Sequence, residues 1–263
     1  MNSRRIFLKN AALSSGALMS SNLFASSSIF NTDTLRVATI GVNGMGWANT
    51  LGALSVKNVE VVALCDIDES VLNKRKAELL VKQPGVQKID TYSDYIKMLE
   101  RKDIDIVIVG TPDHWHALQM IDACAAGKHV YVEKPCSHNP REGEVLVALQ
   151  KKYNKVVQMG NQQRSAPESR EIIAAIHAGA IGKVYMAKAF YSNNRGPVPV
   201  AKQQAAPDGL DWELFQGPAP RKPYMHDTWD YNWHWYGWDY GTAETGNNAT
   251  HELDVARWAL QVD

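Results

Sequence analysis

The chain has 263 residues, 45% of them hydrophobic, with 28 basic and 28 acidic side chains that cancel. That is the composition of a globular protein, and it excludes low-complexity, disordered and collagen-like classes. The first 30 residues hold three basic side chains (Arg4, Arg5, Lys9) and no acid, so without them 25 bases face 28 acids and a polyanionic partner such as nucleic acid is disfavoured.

Ser3-Arg4-Arg5-Ile6-Phe7-Leu8-Lys9 leads into a mildly apolar Ala/Leu/Ser run that ends near Ala25. It resembles a twin-arginine export signal, and the run is too short and serine-rich to span a membrane. Residues 1–33 are read as signal and linker, and the folded protein as periplasmic or otherwise extracytoplasmic. Cys65, Cys124 and Cys136 cannot all pair and show no Cys-x-x-Cys spacing, so reduced thiols are expected.

Leu35-Arg36-Val37-Ala38-Thr39-Ile40 reads as a strand, and Gly41-Val42-Asn43-Gly44-Met45-Gly46 follows it into a helical stretch. This is the strand–turn–helix setting of a dinucleotide fingerprint, in which glycines let the backbone approach a pyrophosphate at the positive end of a helix. The middle glycine of G-x-G-x-x-G is Asn43, a residue that tolerates positive φ. The second strand, Val59 through Cys65, ends in Asp66, about twenty residues after the turn. An acid there binds both ribose hydroxyls and repels a 2′-phosphate, which favours NAD over NADP.

A helix is predicted over residues 92–101, then a buried strand over residues 104–110 that opens into Thr111-Pro112-Asp113-His114-Trp115-His116. Another helix, residues 117–126, closes at Gly127 and feeds the strand His129-Val130-Tyr131-Val132, which runs into Glu133-Lys134-Pro135. Ligands of an open α/β sheet collect beyond the carboxyl ends of its strands, so Lys134 faces a cleft; a lysine there can exchange a proton with a substrate hydroxyl. Strands and helices alternating over residues 34–156 predict a doubly wound parallel sheet of Rossmann type.

Beyond residue 157, a helix is predicted from Pro167 to His177 and a strand over residues 183–191. Residues 224–240 interleave Tyr224, Trp229, Tyr231, Trp233, Trp235, Tyr236, Trp238 and Tyr240 with His226, Asp227, Asp230, His234 and Asp239. Aromatic faces stack on the C–H faces of sugar rings while carboxylates and imidazoles bind hydroxyls, so a carbohydrate cleft fits; an aromatic corner or a subunit interface fits the same pattern. His114 and His116 lack a third ligand at metal spacing, so no metal is expected.

The set Gly41 to Gly46, Asp66, Thr111-Pro112 with His116, and Glu133-Lys134-Pro135 resembles the glucose–fructose oxidoreductase/inositol dehydrogenase/MocA family, from about residue 34 to the end of the chain. The resemblance implies a Rossmann domain that binds NAD or NADP. Cofactor contacts fall to Gly41, Asn43, Gly44, Met45, Gly46, Asp66, Thr111, Pro112, His116 (toward the nicotinamide) and Glu133. Lys134 and His251 then carry the proton of a sugar or cyclitol hydroxyl. The family pairs that histidine with an aspartate four residues earlier, where this chain has Asn247; Asn can hydrogen-bond but cannot stabilise an imidazolium by charge. Asp254, three residues on, is a candidate to orient His251. The resemblance also implies a second, α+β domain with an open sheet over residues 157–263, incomplete because family members continue past Asp263. Gln163, Arg164, Trp233, His234 and Asn247 would contact substrate there, and the exposed sheet offers a homo-oligomer surface.

Three functions follow from these expectations. The leading one is an exported NAD-dependent oxidoreductase acting on a sugar or glycoside hydroxyl. The second is an NAD-dependent glycosidase working by transient C3 oxidation and elimination, similar to exported α-N-acetylgalactosaminidases of this superfamily. The third is a non-catalytic sugar-binding protein.

Overall fold

The computed structural model describes residues 34–192, 196–197, 200, 202–225, 232–235 and 237–262. The export motif lies outside these residues, as do His226, Asp227, Trp229, Asp230, Tyr231 and Tyr236.

Six strands, β1 (Leu35–Ile40), β2 (Val59–Cys65), β3 (Asp90–Tyr92), β4 (Ile106–Val109), β5 (His129–Val132) and β6 (Val157–Met159), form one sheet in the order β3-β2-β1-β4-β5-β6, with every pair parallel. Their connections are helical: α1 (Gly44–Leu54), α2 (Glu69–Lys82), α3 (Tyr95–Leu99), α4 (Asp113–Ala125) and α5 (Pro140–Tyr153). Parallel neighbours require such crossovers, and the crossovers cover both faces.

The period-2 alternation of a strand sorts side chains to two cores. Ala38, Ile40, Val107, Val109, Val130 and Val132 join Met98, Met120 and Leu146 on one face. Val37, Val61, Leu64 and Ile108 join Trp47, Leu72 and Leu79 on the other. Each fully buried Leu, such as Leu64 or Leu79, contributes about 2 kcal/mol by leaving water.

The helix ends follow local chemistry. Asp68 caps α2 by accepting from Ser70 and Val71 amides at 2.9 and 3.2 Å. Asn139 caps α5, whose first residue is Pro140. Gly127 follows α4 at φ 84°, a conformation that costs a glycine little.

The helix predicted over residues 92–101 is shorter, Tyr95–Leu99, because Tyr92 belongs to β3 and Asp94 caps the turn between them. The helix predicted from residue 117 begins earlier, at Asp113, with Pro112 as its cap, so His114, Trp115 and His116 occupy its first turn.

After β6 come a 3-10 turn (Gln162–Arg164), α6 (Pro167–His177), α7 (Trp212–Gln216), a π-helical turn (Thr245–Ala249) and α8 (Thr250–Leu260). The strand predicted over residues 183–191 joins no ladder: the segment runs irregularly, with Tyr185, Met186 and Phe190 exposed. A strand is held by a neighbour, and among the described residues beyond β6 the pairing consists of two isolated bridges, Asp68 with Leu210 and Gln203 with Met225. The open sheet expected of the second domain is therefore not formed by the described residues.

Candidate active site

A cavity of about 570 Å³ lies at the carboxyl ends of β1, β2, β4 and β5, where the loops from those strands meet α7 and the π-helical turn.

The glycine turn forms one end. Gly41 has φ 78°, and a Cβ on it would come 2.8 Å from the Gly110 carbonyl; a Cβ on Gly46 would fall 1.8 Å from the Gly41 oxygen; one on Gly110 would fall 2.5 Å from the Gly46 Cα. Three glycines thus bring α1 against the ends of β1 and β4. Asn43 takes φ −94° and the positive φ of this turn falls on Gly41 and Gly44, so Asn in place of the middle glycine carries no backbone strain. Its side chain makes no capping bond, which leaves the α1 amino terminus open toward the cavity with Asn43, Gly44 and Met45 exposed along the lining. Gly46 is buried beneath the turn and does not line the cavity.

Asp66 closes this end. Its carboxylate accepts from the Val42 amide at 2.8 Å and the Asp68 amide at 3.1 Å. Burial raises its pKa, against the lowering effect of the backbone donors. A cradle that a Cβ would fill, an uncapped helix start and a carboxylate at the second strand end fit the pyrophosphate and ribose of a dinucleotide. Among the described residues no group of three His, Cys, Asp or Glu could hold a metal ion, and no helix is long and apolar enough to cross a membrane.

At the other end, β5 delivers Glu133 and Lys134. Glu133 is buried, and its Oε1 accepts from Asn49 Nδ2 on α1 at 2.8 Å and from Gln162 Nε2 at 2.9 Å. The Lys134 ammonium donates to Asn247 Oδ1 at 3.0 Å, joining β5 to the π-helical turn. His251 follows on the first turn of α8. Its Nδ1 is shielded from solvent and has no hydrogen-bond partner among the described residues. Burial lowers the His251 pKa, the Lys134 charge adds to that, and Glu133, Glu252 and Asp254 oppose it. The imidazole is thus neutral at pH 7, with a lone pair available to a proton donor.

Thr111, Pro112 and His116 line the cavity wall between the two ends. His116 is almost wholly buried, and its ring nitrogens lie 2.6 Å from the Thr111 and Pro135 carbonyl oxygens. It ties the loop after β4 to the loop after β5, and so positions Lys134. Thr111 donates its hydroxyl to Gln119 at 2.7 Å.

Trp233 and His234 line the cavity and stack on each other with ring centroids 3.5 Å apart. Gln163 and Arg164 do not line it. Gln163 accepts from Ser169, and Arg164 makes a bidentate pair with Asp254 at 2.8 Å while its guanidinium covers Trp258. That pairing engages both Asp254 carboxylate oxygens with Arg164, while the Asp254 charge still acts on His251. Of the remaining aromatic stretch, Tyr240 is buried against His114 and Phe215, Tyr224 packs on Trp212, and Trp238 is 72% exposed.

Several lining or supporting residues carry no sequence signal. Gln162 lines the cavity in place of the expected Gln163: consecutive side chains of the 3-10 turn point in different directions, Gln162 to Glu133 and Gln163 to Ser169. Asn49 shows nothing in sequence because its partner, Glu133, is 84 residues away. Leu214 and Phe215 reach the cavity from α7.

Residues 35–161 match the model of the oxidoreductase family with an NAD-binding Rossmann fold, GFO_IDH_MocA. A glycosyl hydrolase family 109 protein of Shewanella putrefaciens is 28% identical over 209 residues, covering 72% of this chain and 45% of the relative. One from Shewanella sp. strain ANA-3 is 32% identical over 163 residues, covering 60% and 35%. Among solved structures, myo-inositol 2-dehydrogenase from Lactobacillus plantarum is 29% identical with a TM-score of 0.52, covering 57% of this chain and 43% of that one. A 3-ketoreductase from Actinomadura kijaniata, solved with NADP and TDP-benzene, is 26% identical with a TM-score of 0.50, covering 57% and 44%. The chain spans less than half the length of these relatives. Residues 35–161, which form the parallel sheet and its crossover helices, are thus similar to the NAD-binding Rossmann portion of the GFO_IDH_MocA oxidoreductases.

Proposed function

We propose that the protein is an exported, NAD-dependent oxidoreductase acting on a ring hydroxyl of a sugar or glycoside. The observation that carries this reading is the contact of Lys134 with Asn247 on the rim of a cavity that also holds the glycine turn and a neutral His251. Gly41, Asn43, Gly44 and Met45 would hold the pyrophosphate, and Asp66 the adenosine ribose. Its carboxylate repels a 2′-phosphate, which supports NAD rather than NADP. When bound, the nicotinamide supplies the acceptor for the hydrogen of a substrate C–H bond. The residues supply the rest. The His251 imidazole on the cavity lining takes the hydroxyl proton, the Lys134 ammonium stabilises the oxygen as charge develops, and Asn247 fixes the lysine side chain. Trp233 offers a ring face to the apolar side of a sugar, with His234 beside it. Export by the twin-arginine route rests on residues 3–9 and suits an enzyme that loads its cofactor before leaving the cytoplasm.

A second reading is an NAD-dependent glycosidase that oxidises and re-reduces its substrate at C3. It is favoured by one observation: the match to glycosyl hydrolase family 109 proteins runs over 209 residues, well past the Rossmann portion. Absorbance at 340 nm with free sugars and aryl glycosides, with released aglycone followed in parallel, tests both. Accumulating NADH without aglycone is the result for a dehydrogenase, and aglycone without net NADH is the result for the glycosidase. Silence in both channels from protein that holds NAD contradicts both readings and leaves a non-catalytic sugar-binding protein.

A further inference from the structure

The segment Pro207-Asp208-Gly209-Leu210-Asp211-Trp212-Glu213-Leu214-Phe215-Gln216-Gly217 borders the cavity through Leu214 and Phe215, and no step of the chemistry above uses it. One end is fastened to the loop between β2 and α2. The Glu69 amide donates to the Gly209 carbonyl at 3.1 Å, the Asp211 amide donates to the Ile67 carbonyl at 3.1 Å, and Asp68 and Leu210 form an antiparallel bridge between those bonds. The other end is fastened to α4. The Phe215 carbonyl accepts from Trp115 Nε1 at 2.8 Å and lies 2.8 Å from His114 Nε2, and Gly217 packs so closely on the Trp115 ring that a Cβ there would fall 2.0 Å from it. Between the anchors, α7 is capped by Asp211, whose carboxylate accepts from the Leu214 amide at 2.9 Å, and it turns Leu214 and Phe215 into the cavity that Asp66, Tyr95 and Trp115 also line.

We infer that residues 207–217 form a strap over the adenosine half of the dinucleotide, with Leu214 and Phe215 as an apolar wall of that subsite, and that the strap controls release of the cofactor. The inference rests on the cofactor reading above. Its physical basis is that both anchors tie the segment to elements that frame the adenosine side: backbone bonds hold it to the loop carrying Asp66, and the Trp115 and His114 side chains at the start of the helix after β4 hold its Phe215 carbonyl. A dinucleotide seated on Asp66 can leave on this side only after those bonds open. The strap therefore slows exchange without touching the reacting groups, Lys134 and His251.

The test uses the full chain loaded with radiolabelled NAD and chased with excess unlabelled NAD, with label retained on a filter followed in time. Two variants weaken the strap differently. Leu214→Ala removes part of the apolar wall while Phe215 keeps its core contacts. Gly209→Ala forces an L side chain to φ 82° at the first anchor, where the added Cβ meets Glu69 at an ordinary 3.7 Å, so the variant strains the strap without a clash. The expected result is label released about tenfold faster or more in each variant, a loss near 1.4 kcal/mol at 25 °C. Thermal melts reporting a folded protein accompany each chase. Release at the wild-type rate from both variants overturns the strap and leaves the cofactor reading intact. Failure of the wild type to retain any label overturns both.

Discussion

Gly46→Ala tests how the cofactor cradle is built. A Cβ at residue 46 would fall 1.8 Å from the Gly41 carbonyl oxygen and 3.4 Å from the Gly110 Cα, so more than an ångström of separation must be found between backbone atoms. Neither neighbour is a flexible side chain, so α1 has to move away from the ends of β1 and β4. Overpacking of this kind costs about 3 kcal/mol at the upper end of its usual range. Alanine recovers roughly 1 kcal/mol of helix propensity, leaving a net loss of about 2 kcal/mol and a melting temperature ~4–8 °C lower for a chain of this size. The same movement withdraws the α1 amino terminus from the pyrophosphate, an interaction of up to ~2 kcal/mol, so the dissociation constant for NAD rises about tenfold. Gly52→Ala is the internal control. It lies in the same helix with nothing within 4 Å of its added Cβ, and it gains about 0.5–1 kcal/mol with NAD affinity unchanged. Thermal melts and NAD titrations of the two variants, side by side, are the assay. A Gly46→Ala protein that melts and binds NAD like Gly52→Ala refutes the close packing of the three glycines.

Other perturbations probe the charges. His114 is buried, and desolvation holds its pKa down at about 4. A depressed folded value means that stability is fully present above pH 6.5 and is lost as pH falls toward 4, by about 3 kcal/mol for that one group. Urea melts of wild type and His114→Gln at pH 7 and pH 4 are expected to differ in acid sensitivity, with equal sensitivity counting against the assignment. Asp66 has its pKa raised by burial, and ribose hydroxyls bind the ionised form. NAD affinity is therefore expected to weaken as pH falls through that raised value, and Asp66→Asn to flatten the profile and narrow the preference for NAD over NADP. Because the His251 pKa is lowered, the acid limb of the activity profile is expected below 6.5. Asn247→Asp puts a carboxylate against Lys134 and is expected to move that limb upward; an unmoved limb separates residue 247 from the ionisation that governs turnover.

How much of this was legible in sequence depends on the range of the interaction. The Rossmann half was readable because its signals are local: valine-rich strands that sort to two faces, capping Asp and Asn residues, and glycines at the turns. Asp66, Lys134 and His251 could be read because strand ends point to one rim and because the motifs resemble a known family. Long-range pairing was not legible. Nothing near Arg164 in sequence announces Asp254, 90 residues away, and nothing near Glu133 announces Asn49. The segment over residues 183–191 carries strand-like residues, yet a strand exists only when something pairs with it, and its aromatic side chains lie exposed. Among the described residues of 224–240 composition could not separate the outcomes: Trp233 and His234 line the cavity, Tyr224 and Tyr240 pack around Trp212 and Phe215, and Trp238 is exposed.

The most direct measurement compares the NAD-loaded wild type with Lys134→Ala, following substrate oxidation at 340 nm, or aglycone release if the substrate panel selects that channel, together with the NAD dissociation constant. If Lys134 works on the substrate hydroxyl, the rate falls about 10²–10⁴-fold while NAD affinity stays within a factor of about two. A Lys134→Ala protein that turns over at the wild-type rate contradicts the central claim.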